Sequence, residues 1–168
     1  MKKYYMLRFF YLNKNLFLIW YNDEEVDGFI TNESKIIIFD NITDATNYAK
    51  ENAIFLEQGI TTFNIVDIDN LSDKIKNVVV SENCHELFDI WNILGDMAKS
   101  TNTMFSGNSD DELTRNIYEK LFYGSNLKVI VQDMGEYHPI FDEEEMKVCI
   151  SIFSNGLDML NEIILEYF

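Results

Sequence analysis

Two apolar runs open the chain, Tyr4 to Leu12 and Leu16 to Tyr21, and in both nearly every position is aromatic, branched or otherwise apolar. Such runs favour extended backbone, and Asn13, Lys14 and Asn15 between them form a three-residue connection suited to a hairpin. Strands without a polar face are covered on both sides, so the hairpin is expected in the middle of a sheet or under helices. Asn22 to Asn32, with four acids and Gly28, reads as an exposed connection, and Lys35 to Asp40 as a short third strand. Thr43 or Asp44 then caps a helix reaching as far as Phe55, with Ala45, Tyr48, Ala49 and Ala53 on one stripe, before Gly59. Thr61 to Ile68 returns to strand character, and Val78 to Val80 adds a short edge.

From Asn83 the apolar spacing becomes helical. Leu87, Phe88, Ile90, Trp91, Leu94, Met97 and Ala98 predict a helix of about five turns. Thr101 to Asn108, polar and holding Gly107, reads as a mobile loop. Ser109 and Glu112 have the spacing of a capping box, heading a helix with Leu113, Ile117 and Leu121 that Gly124 stops. Leu127 to Val131 reads as a strand with Lys128 outward, and Asp133 to Pro139 as a loop. Asp142 and Glu145 repeat the capping-box spacing before a long helix that buries Met146, Cys149, Phe153, Leu157, Leu160 and Ile164, with Gly156 at a close contact. The expected architecture is α+β: a single domain over residues 1–168, with an N-terminal, largely antiparallel sheet built on the hairpin and packed against several helices, the long C-terminal one included. No internal repeat and no Pro, Gly or Ser linker divides it.

Composition narrows the class. Of 168 residues, 47% are hydrophobic and only one is proline, which excludes a disordered or collagenous chain. Cys84 and Cys149 stand alone, in no spacing that reads as a zinc site or a disulfide framework, so a reducing, cytoplasmic setting is expected. Lys2 and Lys3 ahead of apolar residues imitate a secretory signal, but Arg8 and Lys14 interrupt the run and no small-residue cleavage site precedes Gly28; Met1 is expected to begin the mature protein. No uncharged stretch approaches the roughly 18 to 20 residues that span a bilayer.

Charge decides more. The 29 Asp and Glu against 13 Lys and Arg leave a net charge of −16, and residues 101–168 alone hold 13 acids and 4 bases. Affinity for a phosphate backbone comes mainly from Lys and Arg releasing counterions, so nucleic acids and anionic membranes are poor direct partners and a basic protein is a good one.

Candidate chemistry is sparse. His85 follows Cys84, and His138 lies two residues beyond Glu136, but nothing in the spacing brings thiolate, imidazole and an orienting group together. Cys84 near a helix start has a dipole available to lower its pKa, although a free cysteine there more commonly packs. Asp67, Asp69 and Asp73 imitate a calcium loop until Leu71 and Ser72 occupy a ligand position and the glycine position. No phosphate-binding loop, nucleophile elbow or metalloprotease motif is present. The expectation is no catalytic residue, no metal and no cofactor, hence a binding protein and not an enzyme. The acids expected to meet a partner are those in or beside loops: Asp23, Glu24, Asp69, Asp73, Asp110, Asp111, Glu136, Glu143 and Glu144. Those at helix starts also offset the positive end of the helix dipole. Tyr123, Tyr137 and Phe141, flanking the acidic C-terminal loops, are the expected aromatic anchors.

In size, acidity and overall character the chain resembles immunity proteins of bacterial contact-dependent growth inhibition systems. Ile, Asn, Lys, Phe and Tyr are abundant and Arg and Pro scarce, and the stretch FDNITDATNYAKENAI from Phe39 to Ile54, a strand end entering a capped helix, contributes to the likeness. The resemblance implies a protein that binds the C-terminal domain of a cognate toxin, often a basic nuclease, and covers its active site or substrate groove. A small enzyme without a recognisable motif, or an adaptor outside any toxin system, remain the alternatives.

Overall fold

In the computed structural model, which describes residues 2–24, 26–57, 64–67, 70–77, 81–128, 131–132 and 135–165, the two opening runs form β1 (Lys3–Tyr11) and β2 (Lys14–Asn22), antiparallel with Tyr11 opposite Lys14. The connection is tighter than the sequence suggests. Leu12 and Asn13 alone make the turn, both with positive φ (50° and 59°), the geometry whose twist suits a two-residue hairpin. Lys14 and Asn15, expected in the connection, already pair with Tyr11 and Phe10.

The sheet runs β3 (Asp27–Phe29), β2, β1, β7 (Asn64–Asp67), with β6 (Ile38–Phe39) also paired to β2, so the hairpin is central, as its apolar runs predict. β7 (Asn64–Asp67), the described part of the expected Thr61 to Ile68 strand, lies parallel to β1; the other pairings are antiparallel. The expected exposed connection Asn22 to Asn32 is in part ordered sheet. It holds β3 (Asp27–Phe29) against β2, and β4 (Thr31–Asn32) paired with β5 (Lys35–Ile36). Four acids suggested exposure there, but Phe29 is buried with its ring edge-on to Phe9 at 6.4 Å. Gly28 is buried too: a Cβ there would lie 2.9 Å from both the Ser100 and Tyr21 hydroxyls. The expected strand Lys35 to Asp40 is split into β5 and β6 (Ile38–Phe39), because Ile37 turns its N–H to the Ile30 carbonyl at 3.0 Å.

Both faces of the hairpin are covered. On one, Met6, Phe17 and Ile19 pack against Ala45 and Ala49 of α1 (Ile42–Glu51), whose small side chains let the helix approach closely. Asn41, not Thr43 or Asp44, caps α1: its Oδ1 accepts the Asp44 N–H at 2.9 Å. The helix ends four residues short of Phe55, because Ala53 takes a positive φ of 54°, and Phe55 is left 85% exposed. On the other face, Trp20 Nε1 donates to Asp96 at 3.0 Å and the Phe29 N–H to Ser100 Oγ at 2.8 Å.

Contacts divide the chain into two compact units that interleave in sequence, Met1–Asp69 with Asp96–Thr103 and Ile163–Phe168, and Asn70–Gly95 with Met104–Glu162. The sheet, α1 and the last turns of α3 (Ser81–Thr101) belong to the first. The second holds α2 (Leu71–Lys76), the rest of α3, α4 (Glu112–Gly124) and most of α5 (Glu143–Leu165). The fold is mixed α+β, as expected.

The second unit is organised around Trp91, whose ring meets Phe105, Tyr118 and Phe153 at centroid distances of 6.1, 5.8 and 5.6 Å. Its indole N–H donates to the Gly107 carbonyl at 3.2 Å, and the Ser106 N–H donates to Asn155 at 2.7 Å. The segment read as a mobile loop is therefore tied down, with Phe105 buried and Ser106–Asn108 in a 3-10 turn. Gly156 sits where expected, since a Cβ would lie 2.5 Å from Leu94. Two further expectations fail. Asp111, not Ser109, caps α4 and accepts the Thr114 N–H. Of the expected strand Leu127 to Val131, the described Lys128 and Val131 are helical instead, and the Val131 N–H donates to the Leu127 carbonyl at 3.0 Å. Val78 to Val80 lies outside the described residues.

Asp96 gives the first unit a testable pH response. Burial pushes its carboxyl above the usual range, offset in part by the hydrogen bond from Trp20 and by Lys99, with Asp27 adding to the rise. The folded protein thus holds this proton more tightly than the unfolded chain, and the group adds stability as pH falls through its raised folded value. Asp96→Asn, which keeps an acceptor for Trp20, is expected to be at least as stable as wild type at neutral pH. The wild type should then gain on the variant as acid is added, read as the difference between their denaturation midpoints. A variant markedly weaker at neutral pH, with a gap that closes as acid is added, would show that the charge itself is stabilising.

Candidate functional site

Sequence spacing already aligns one side of α4. Asn116, Glu119, Lys120 and Tyr123 fall at helical intervals of three and four, so they share a stripe. Facing it are the strap of residues 135–142 and the head of α5. The capping box read from Asp142 and Glu145 is formed in both directions: the Glu145 N–H donates to Asp142 Oδ1 at 2.9 Å and the Asp142 N–H to Glu145 Oε2 at 2.8 Å. Glu145 does more than cap. It is buried, and both its oxygens accept from Lys120 Nζ, at 2.5 and 2.6 Å. Lys120 also donates to the Ile140 carbonyl at 2.7 Å and lies 5.5 Å from the centre of the Phe141 ring.

The strap is held at two further points. The Asn126 side chain donates to the Tyr137 carbonyl at 2.9 Å and accepts the Tyr137 N–H at 2.8 Å. Pro139 is seated against Gly124, where a Cβ would come within 2.8 Å of the proline ring. Gly124 therefore ends α4 at a point of close approach. The result is a cavity of about 460 Å³ lined by Asn116, Glu119, Lys120, Tyr123, Glu136, Tyr137 and Glu145. The Tyr123 and Tyr137 rings meet there edge to face, centroids 6.2 Å apart.

Of the residues singled out in the sequence, Tyr123, Glu136 and Tyr137 come together in this cavity, and Phe141 lies beside its lysine. Glu143 and Glu144 are exposed in the first turn of α5. Asp110 and Asp111 are exposed at the head of α4, where Asp111 serves the fold as a cap: hydrogen bonds from Ser109 and Thr114 hold its carboxyl down to about 2. Asp73 is exposed in α2 and pairs with Lys76 at 3.4 Å. Asp23 and Glu24 belong to the first unit, lining a separate cavity of about 440 Å³ with Asp27 and Lys99. Asp69 lies outside the described residues. Sequence reading passed over Asn116, Glu119, Lys120 and Asn126. The stripe on α4 was the available signal for the first three; nothing local marks Asn126, whose partner is 11 residues away.

The cysteines sit in a setting unsuited to nucleophilic chemistry. Both are buried; burial pushes Cys84 up to about 11 and Cys149 up to about 12, the latter also raised by Cys84. Any lowering by the helix dipole at Cys84 is outweighed, and the thiols stay protonated. We expect the native protein to resist a disulfide-exchange reagent at about pH 8 and both thiols to react once guanidinium unfolds it; rapid labelling of the native state would contradict this burial. The imidazoles of His85 and His138 stand 3.7 and 3.9 Å from Asp89 and Glu136, beyond hydrogen-bond reach. Among the described residues, no three His, Cys, Asp or Glu side chains converge to hold a metal ion, and no helix is long and apolar enough to cross a membrane.

No protein-family model and no curated protein matches the sequence. Among solved structures, the crystal structure of the SatS C-terminal domain in complex with bromine is similar over 95% of this chain and 91% of its own, at a TM-score of 0.48 and 8% identity, a likeness too slight to bear on function.

Proposed function

We propose that this protein is an immunity protein, which binds a basic toxin domain, a nuclease above all, and blocks its active site or substrate groove. The observation that carries the reading is electrostatic: a net charge of −16, with carboxylates at Asp110, Asp111, Glu112, Glu143 and Glu144 heading two helices of the unit that also holds the Tyr123–Tyr137 cavity. A protein built to grip nucleic acid presents lysines and arginines, and a surface of this sign competes for them. The same surface repels nucleic acid itself.

Co-expression with the C-terminal domain of the protein encoded directly upstream, whatever that protein is, tests the proposal. That domain alone should arrest growth, and this protein should restore it through a complex that survives purification. Association should be fastest at low salt and slow steeply between about 0.01 and 0.15 M ionic strength, where the Debye length shortens from about 30 to about 8 Å. Failure to restore growth overturns the proposal. An acidic toxin domain, or a salt-independent on-rate, overturns its electrostatic basis.

A further inference from the structure

The cavity beside α4 carries more negative charge than its own cation balances. Its lining holds three carboxylates, Glu119, Glu136 and Glu145, and one ammonium, Lys120. That ammonium is committed to the buried Glu145 and the Ile140 carbonyl. Glu119 and Glu136 are exposed, and among the described residues the basic group within 4 Å of Glu136 is the His138 imidazole, at 3.9 Å. Tyr123 and Tyr137 supply two aromatic walls inclined at 76°. The backbone that carries the second wall is held before anything binds, because Asn126 holds the Tyr137 backbone from both sides and Pro139 is seated on Gly124. Ile140, on the same strap, is 82% exposed and offers an apolar contact next to the charge.

Aromatic walls with two uncommitted carboxylates suit a cation that has a flat face. A guanidinium stacks on tyrosine and presents a fork of donors to carboxylates, whereas an ammonium is a compact, strongly hydrated point charge that does neither as well. A volume of about 460 Å³ lies at the small-ligand end of protein cavities, enough for a long side chain and too little for a folded element. We propose that this cavity receives an arginine side chain of the protein partner, its guanidinium against Tyr123 and Tyr137 and paired with Glu119 and Glu136. The proposal rests on the reading of the chain as a binder of a basic toxin domain and names the group that the partner inserts.

The probe is N-acetyl-arginine N-methylamide, titrated into the full chain while backbone amide resonances are followed. Saturable shifts are expected at Glu119, Tyr123, Glu136 and Tyr137. The lysine analogue should bind more weakly, and the citrulline analogue, equal in shape but uncharged, should give no saturable response. Glu119→Gln with Glu136→Gln, and separately Tyr137→Ala, should weaken arginine binding by about tenfold with the melting temperature retained. An equal response to citrulline, or shifts centred on Asp23 and Asp27, would overturn the assignment. Co-expression with the C-terminal domain of the upstream product separates the two proposals. Neutralisation unchanged by these variants refutes the arginine site and leaves toxin binding standing; arginine capture by a chain that does not restore growth refutes toxin binding and leaves the site standing.

Discussion

Phe153→Ala is expected to destabilise the protein by about 3–5 kcal/mol, a large part of the roughly 5–15 kcal/mol that a typical domain has in total. The side chain is fully buried in α5, and its ring meets Trp91 edge-on at 5.6 Å, within the cluster that Phe105 and Tyr118 complete. Truncation removes the transfer energy of the ring and leaves a void that a cluster of rigid rings cannot close. A fall of roughly 10 °C in melting temperature follows for a chain of this size. Phe55→Ala is the matched control: that side chain is 85% exposed, and its loss should change stability by no more than about 0.5 kcal/mol. Equal effects in chemical denaturation would mean that α5 does not anchor its unit through Phe153.

The elements that sequence pattern located are those whose apolar residues repeat over a long stretch. β1 and β2 are apolar at nearly every position and lie at the centre of the sheet; α3 and α5 keep a helical period over 21 and 23 residues. What it mislaid lies between elements, and the cause is physical. Positive φ, which usually announces a turn through glycine, falls here on Leu12, Asn13, Glu33, Ser34, Ala53, Asn102 and Asn126. Among the described residues Gly135 is the glycine with positive φ, while Gly28, Gly124 and Gly156 stand where a Cβ would collide. Turns at Leu12 and Ala53 therefore carried no recognisable residue, and the hairpin connection and the end of α1 were misplaced. The two capping boxes make the same point: Asp142 with Glu145 closes in both directions, while Ser109 with Glu112 has the spacing but loses the role to Asp111.

The candidate site was legible in its aromatics and acids and illegible in its fastening. Tyr123, Glu136 and Tyr137 could be chosen for standing near acidic loops, a local property. That they meet depends on Lys120 reaching Glu145 across 25 residues and Asn126 reaching Tyr137 across 11, and such pairings leave no trace in spacing. The acidic stretch at Asp23 and Glu24 could not be told from this one by composition, yet it belongs to the other unit.

Lys120→Met should be the most damaging change around the cavity. It leaves the Glu145 carboxylate, only 8% exposed at its side chain, without its cation and with the Asp142 N–H as a remaining donor. An uncompensated charge at such a site costs about 3–5 kcal/mol, far more than the net worth of the pair. Glu145→Gln should cost less, for two reasons: the amide oxygen still accepts from Asp142, and the stranded ammonium, on a side chain 26% exposed, can turn to water. The double variant Lys120→Met with Glu145→Gln removes both charges and should be more stable than Lys120→Met alone, a coupling of about 1–3 kcal/mol in a double-mutant cycle. Because Lys120 also holds the Ile140 carbonyl, its loss should free the strap, seen as faster amide hydrogen exchange at Tyr137. Strictly additive losses, with Tyr137 exchange unchanged, would mean that the pair is a surface contact and that the cavity wall stands without it.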